Sequence, residues 1–561
     1  MRALFRNLAL ATAALVAAVG LYVVFTRPAR AIQFDAAIPE NVVFGAYHIH
    51  TSRSDGSGSV VDVAAAARRA GLKFVILTDH GDATRAPDPP QYLDGVLVID
   101  AVEIATDAGH VVALGLREPS AFPLAGAART VIDDIHRMGG RAIIAHPDSP
   151  EPRLQWRDRR VEADGVEWFN VDSEWRDDSW PRVIGAAARA LLRPAESIAT
   201  LFSRPVATLQ RWDAMSRSRD AFGLAAVDAH ASVGWDDDER TQPTTLLAFP
   251  SYEASFRAVA QAAILSGRLT GRADDDGAAV IAAIAGGHTY SVISGIGSAT
   301  AVEFSATQDG GRATMGDRLQ ATTRTAVRAA VPAAPGARVV LLQNGREVAS
   351  GRGAVEHTNP GIPGAYRVEV FLPTAAVPWI ATNPIYIGAP APIEDVADQT
   401  PPASLLALPT GAEWQIEKDP QSIASIARDG DELRLSYALA GGRPSGQYAA
   451  IAAPVEGDNG FDRVQFTVRA DRPMRLWLQL RLPGGRDGQR WGRSVYVDST
   501  PRQVMIRLQD LAPIGVTSSQ QPIVARVRNV LFVIDTVNAL PGSSGTVFLS
   551  DVALGVGQVG G

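Results

Sequence analysis

Nine histidines occur in the 561 residues, and seven of them fall between His48 and His230. They stand in short phrases: H-I-H at 48–50, T-D-H at 78–80, G-H at 109–110, A-H-P at 145–147 and D-A-H at 228–230, with Asp55 and Glu103 interleaved. Imidazole and carboxylate are the donors that divalent zinc, manganese and iron accept. The pattern predicts a metal-dependent hydrolase. Cysteine is absent, so no disulfide or thiolate site is possible and any ligand is an N or O donor.

The elements around these phrases explain how distant residues could meet. VVFGAYHIH, KFVILTDH, GVLVIDAVEI, HVVALGL, RAIIAHP, DGVEWFN and FGLAAVDAH read as strands. VVDVAAAARRAG and TVIDDIHRMGG read as helices that stop at glycine. Strands alternating with helices predict an α/β domain with a parallel sheet or barrel over 40–297, with a helical insertion at about 176–220. Residues i and i+2 of a strand face one side, so His48 and His50 should project together, as should Asp228 and His230. Each of these pairs, like His80 and His146, falls at the C-terminal end of an apolar strand, the end that carries the site in α/β barrels.

Residues from about 43 to 297 resemble the PHP family, the polymerase and histidinol phosphatase family of metal-dependent phosphoesterases, on H-I-H-T-S-R-S-D-G, L-T-D-H, Glu103, A-H-P and V-D-A-H in that order. E-I-A-T-D-A-G-H-V-V-A-L-G, R-W-D and P-W-I-A-T-N-P-I-Y are similar to its carbaryl-hydrolase-like branch. The resemblance implies a distorted seven-stranded β/α barrel holding two or three divalent ions, zinc, manganese or iron. By motif, His48, His50, Glu103 and Asp228 would hold one ion; Glu103 would bridge to a second on His110 and His146; Asp55, His80 and His230 would hold a third. Such ions polarise an ester and bring the pKa of a bound water down to about 7. Glu103 and Asp79 are the candidate catalytic carboxylates, Asp79 either as general acid or as the group orienting His80. Arg53 is a candidate phosphate contact. His136, His288 and His357 read as structural, and Asp236–Glu239 as a solvated loop.

The chemistry expected is hydrolysis of a small-molecule or glycan-linked phosphate monoester or diester. Carbamate or carboxylic ester hydrolysis on the same site is the first alternative. A catalytically inactive barrel with a glycan-binding C-terminal domain is the second. Beyond the barrel the helices stop. Residues 298–390 predict an immunoglobulin-like β-sandwich, 391–408 a Pro-rich linker, and 409–561 a jelly-roll sandwich resembling galactose-binding domains. Carbohydrate binding there would use Trp414, Tyr448, Trp477, Trp491 and Tyr496, aromatics that more often form a core. A net charge of −7 with no basic stripe excludes nucleic acid as the expected partner. Leu8–Phe25 is uncharged, with Arg2 and Arg6 before it and Arg27 and Arg30 after it. Residues 1–31 therefore predict an export signal or membrane anchor, and an exported, periplasmic or outward-facing protein.

Overall fold

The structure, a computed structural model, describes residues 2–556 apart from 36, 159–161, 235–244, 248, 323, 374, 392–403, 408–413, 443–445, 456–459 and 484–487. The acidic run 236–239 and most of the expected linker lie outside the described residues. The chain forms two compact units: Met1–Glu118 with Ala127–Ile393, and Pro119–Gly126 with Glu394–Gly561.

The first unit opens on helix α1 (Arg2–Thr26), whose side chains from Leu4 onward are exposed except Val23. Next come β1 (Val42–Tyr47), α2 (Val60–Arg69), β2 (Phe74–Leu77), β3 (Gln91–Leu93) and β4 (Val96–Asp100). Ser59 caps α2 reciprocally with Asp62, and the helix buries Val63, Ala64, Ala66 and Ala67; such a cap is worth about 1 kcal/mol. β5 (Val102–Thr106) and β6 (Gly109–Leu114) precede α3 (Ala128–Arg137), β7 (Arg141–Ile144) and β8 (Gly165–Asn170). Four helices follow, α4 (Val171–Arg176) ahead of the insertion expected at about 176–220 and α5 (Trp180–Ala190), α6 (Pro194–Ala199) and α7 (Val206–Ser218) within it, leading into β9 (Phe222–Ala226). Short β10 (Val233–Gly234) and β11 (Thr245–Leu247), then α8 (Tyr252–Ala258), β12 (Ala260–Ile264), α9 (Ala273–Ala285) and β13 (Thr289–Val292), complete this part.

Two sheets enclose the core. One has the order β3-β4-β2-β1-β12-β13, the other β5-β6-β7-β8-β9. They are joined along two seams. At one, Val227 N–H donates to Tyr47 C=O (3.0 Å) and His50 N–H to Ala229 C=O (3.1 Å). At the other, Gly81 N–H donates to Glu103 C=O (3.0 Å). Tyr47, Phe74, Ile76, Ile99, Val112, Ile143 and Leu224 fill the space between. GVLVIDAVEI is broken into β4 and β5, which belong to different sheets, so Glu103 sits at a seam.

Among the described residues of 303–387 there are strands and their connections and no helix. One of their sheets stands apart: Gly311–Thr314, Glu303–Gln308, Thr325–Ala330 and Ala354–Asn359, in that order. The other is continuous with the α/β region, because β13 pairs antiparallel with Ile380–Thr382.

The second unit contains two six-stranded sheets. Leu435, Phe466, Leu478, Trp491 and Phe532 are among the residues of their common core. Arg463–Ala470 alternates buried and half-buried positions along its last six residues, the period-2 signature of a strand with one face inward.

Candidate metal centre

Four of the five histidine phrases lie just beyond strand ends, whereas His110 sits within β6. β1 ends at Tyr47 and His48 has φ +68°; β9 ends at Ala226 and Asp228 has φ +43°; β7 ends at Ile144 and His146 has φ +26°. Non-glycine residues rarely adopt positive φ, at a cost of order 1–3 kcal/mol. Three such residues among nine candidate ligands mark a backbone bent to aim its side chains. The in-strand i, i+2 reasoning therefore needs correction. His48 and His50 do converge, with Nε2 atoms 3.1 Å apart, but through a sharp turn after the strand. The following loop folds back tightly: Gly56 N–H donates to Thr51 C=O (3.0 Å), and a Cβ at Gly56 would collide with the His50 carbonyl oxygen.

Glu103 stands at the centre, almost fully buried. Its Oε1 meets His110 Nδ1 (2.9 Å) and His146 Nε2 (2.8 Å); its Oε2 meets His48 Nε2 (3.1 Å), His50 Nε2 (3.2 Å) and His80 Nδ1 (3.3 Å). Asp55 joins His50 Nδ1 (3.2 Å), His80 Nε2 (3.6 Å) and His230 Nε2 (3.2 Å). Asp228 Oδ1 lies 3.4 Å from both His48 Nε2 and His50 Nε2. The donor atoms form overlapping groups, each within 4.8 Å: His50, Asp55, His80 and His230; His48, His146 and Asp228; His48, His50 and Glu103; and His80, Glu103 and His110. All nine candidate ligands are in these groups.

The residues fit cations. Asp55 Oδ1 and Asp228 Oδ1 are buried and accept no hydrogen bond, meeting only imidazole nitrogens at ion-pair distance. His48 Nδ1 faces Glu167 Oε1 at 2.5 Å. A carboxylate only accepts, so the ring donates there and its Nε2 lone pair points into the cluster. The pocket thus gathers lone pairs and negative charge on common points. Without an ion, protons supply the opposing charge. Burial opposes charging His48 and His50, yet the surrounding carboxylates hold both well above the ordinary imidazole value. His146 is opposed by burial in the same way and is raised by Glu103 to about 9. Burial would lift the Glu103 carboxyl, but His48, His80 and His110 hold it well below its usual range.

No protein-family model and no curated protein matches the chain. Among solved structures it is similar to a two-domain protein of Bacteroides vulgatus described as containing a "predicted PHP-like metal-dependent phosphoesterase", at 13% identity over 64% of this chain and 99% of that one, with a TM-score of 0.30. It is also similar to the family 11 carbohydrate-binding module of a cellulosomal cellulase of Clostridium thermocellum, at 16% identity over 28% of this chain and 94% of that one, with a TM-score of 0.23.

One buried carboxylate of the pocket has no counterpart in the motif reading. Glu167, in β8, accepts from His48 Nδ1, from His146 N–H (2.8 Å) and from Asn170 Nδ2 (2.9 Å). Asn170 Nδ2 also donates to Asp228 Oδ2 (3.1 Å). Glu167 therefore locks the rotamer of one candidate ligand and the backbone of another. The available signal was a lone glutamate inside the apolar run DGVEWFN, since a buried carboxylate requires partners.

Asp79 does not hydrogen-bond His80. Its carboxylate accepts from Thr51 N–H (2.7 Å), Thr51 Oγ1 (2.7 Å) and Ser54 Oγ (2.8 Å), which binds the loop between His50 and Asp55. Arg53 pairs with Asp88 and with Asp100 (3.4 Å). With Arg85, which donates to Asp100 at 2.6 Å, it lines a cavity of about 290 Å³ that also touches His80 and Asp79. His136 pairs with Asp164 (2.7 Å), and His288 Nδ1 donates to Met315 C=O (2.6 Å), both outside the cluster. His357 lies on Ala354–Asn359, also away from it. R-W-D and P-W-I-A-T-N-P-I-Y act as braces: Trp212 packs on Gly223, Asp213 pairs with Arg367, and Asn383 donates to Gly223 C=O (3.2 Å). In the second unit Trp414 and Trp491 belong to the core side, whereas Tyr448 and Trp477 pack with Ala450, Ala452, Leu531 and Val533 in a separate cluster.

Proposed function

We propose that the protein is a metal-dependent phosphoesterase whose two joined sheets are the arcs of a distorted PHP-type barrel. The observation that carries this reading is the convergence of nine imidazole and carboxylate groups with two buried, donorless carboxylate oxygens among them. His48, His50, Glu103 and Asp228 would hold one ion, Glu103 with His110 and His146 a second, and Asp55, His80 and His230 a third. Bound divalent ions would polarise the phosphoryl oxygens and make a water acidic enough to deprotonate near neutral pH.

The chain's own residues prepare that chemistry. Glu167 keeps the proton of His48 on Nδ1 and so keeps Nε2 free to ligate. Asp79 fixes the turn that carries His50 and Asp55. Arg53 and Arg85 are held by Asp88 and Asp100 beside His80, where their remaining N–H groups would bind the oxygens of an anionic substrate. A leaving group would occupy the cavity they line, whose other wall includes Ala83, Pro87, Val102 and Leu116.

α1 would act as an export signal or anchor: Leu4–Thr26 is 23 residues long and contains an 18-residue window with a mean hydropathy of 2.4. A glycan contact on the second unit would use Tyr448 and Trp477, since Trp414 and Trp491 face its core. The test is elemental analysis of the purified protein joined to a substrate panel. More than one equivalent of zinc, manganese or iron and turnover of p-nitrophenyl phosphate support the reading. Turnover of aryl carbamates with no phosphate ester cleaved would replace it with carbamate hydrolysis. Absence of bound metal after supplementation would overturn both.

A further inference from the structure

The helical insertion carries a surface that hydrolysis does not use. Trp180, Ile184 and Leu191 are 70%, 64% and 79% exposed, respectively. At 3.6 residues per turn Trp180 and Ile184 of α5 and its C-cap residue Leu191, which keeps helical dihedrals, fall within one narrow arc, and Gly185 and Ala186 on the far side are buried. Scattered exposed apolar residues need no explanation, but a tryptophan, an isoleucine and a leucine aligned on one stripe do.

The buried side of α5 is tied to the end of α1. A Cβ at Gly185 would come within 2.8 Å of the Tyr22 hydroxyl, so the glycine lets the two helices approach closely. The Arg193 guanidinium donates to the Pro28 carbonyl oxygen, and Ala31 N–H donates to Glu196 Oε1 (3.4 Å). Phe25 (81% exposed) and Leu192 (51%) extend the apolar surface from both helices.

We infer that α5 is a membrane-interface helix whose Trp180, Ile184 and Leu191 stripe lies in the headgroup–acyl boundary of a lipid bilayer. This rests on the reading of α1 as an anchor. If α1 spans, its C-terminal end emerges at headgroup depth, and α5, pinned there, sits at the same depth. Tryptophan favours that boundary, and an amphipathic helix with one apolar stripe lies along it. The device would fix the height of the catalytic unit above the membrane and bias it toward membrane-borne esters.

The chain contains no cysteine, so single labels can be placed in the full protein. Ile184→Cys, Leu191→Cys, Val16→Cys in α1 and Val61→Cys on α2 are each labelled with a polarity-sensitive fluorophore. The proteins are then reconstituted into phosphatidylcholine–phosphatidylglycerol vesicles with doxyl-lipid quenchers. The expected result is blue-shifted emission at 184 and 191 quenched by shallow doxyl groups, quenching of Val16→Cys by deep ones, and water-like, unquenched emission at 61. Water-like emission at 184 and 191 beside a membrane-buried Val16→Cys would overturn the inference and leave the anchor intact. Blue-shifted but unquenched emission at 184 and 191 would mean a protein cover, such as a second copy, and would also overturn it. Water-like emission at Val16→Cys would remove the anchor reading itself.

Discussion

Two buried charged clusters lie in the first unit, and their difference separates bracing from chemistry. In one, Arg367 donates to both oxygens of Asp213 (2.7 and 2.8 Å) and to Glu369 Oε1 (2.6 Å), while Arg204 donates to both oxygens of Glu369 (3.0 and 2.8 Å). Two cations meet two anions and every carboxylate oxygen has a donor. In the other, nine imidazoles and carboxylates leave Asp55 Oδ1 and Asp228 Oδ1 without one. The first cluster is complete and joins α7 to Gly364–Phe371. The second leaves those two oxygens for a cation to meet. Burial and charge alone do not indicate function; an unmet balance of donors and acceptors does.

Exchanging one member of each cluster is the sharpest way to break this contrast. Glu103→Gln should reduce phosphoesterase turnover by about 10³-fold or more, since several kcal/mol of charge stabilisation depend on the ions. Its metal content, read by elemental analysis, should fall by more than one ion per chain because both carboxylate oxygens face ligand clusters. Arg367→Ala should do the reverse. It strands the buried Asp213 carboxylate and leaves Glu369 on Arg204 alone, which costs about 3–5 kcal/mol in denaturant unfolding, while the folded fraction keeps its full metal content. If Arg367→Ala lost metal while Glu103→Gln kept it, the distinction would be wrong.

Most of the candidate ligands were legible because they belong to short phrases at the ends of apolar runs, and the order of phrases survives in one dimension. The geometry that unites them was not. His48, His146 and Asp228 reach the pocket through positive-φ turns, which no i, i+2 rule contains. The seam at Glu103 depends on β4 and β5 parting after Asp100, inside a run that reads as one strand. The pairing of β13 with Ile380–Thr382 spans about ninety residues of chain and carries no local mark. Glu167 was missed because one glutamate in one strand has no spacing to repeat.

Glu167 offers an intermediate case, a carboxylate that touches a ligand without being one. Glu167→Gln keeps the shape but presents an amide to His48 Nδ1 and His146 N–H. Loss of such an outer partner weakens metal affinity or activity by about 10–100-fold. Competition with a calibrated chelator would measure it. An unchanged affinity would mean that the turn at His48 alone orients the ring. Arg85→Gln sharpens a different edge: KM for a substrate with a second anionic group should rise several-fold with little change in kcat, as expected when uniform binding is lost. Equal effects on a neutral-leaving-group ester would contradict a role in recognition.

The smallest effect belongs to a histidine–carboxylate pair outside both clusters. His136 Nε2 lies 2.7 Å from Asp164 Oδ2, with its side chain 37% exposed. The hydrogen bond to Asp164 raises the His136 pKa despite partial burial, and burial of Asp164 is outweighed by His136 and the Ala142 N–H, which lower its pKa. The signs then fix a window. A raised imidazole contributes stability that is fully present below its unfolded value of about 6.5 and is lost as pH rises through the folded value. A depressed carboxyl contributes stability that is present above about 3.9 and is lost as pH falls through its folded value. His136→Ala should therefore destabilise mainly in mildly acidic solution, by no more than about 1 kcal/mol because solvent screens the pair. Above the folded imidazole value the two proteins should unfold alike, and metal content should match throughout. A loss of metal in His136→Ala would make α3 part of the centre and would erase the line drawn between paired and unpaired charge.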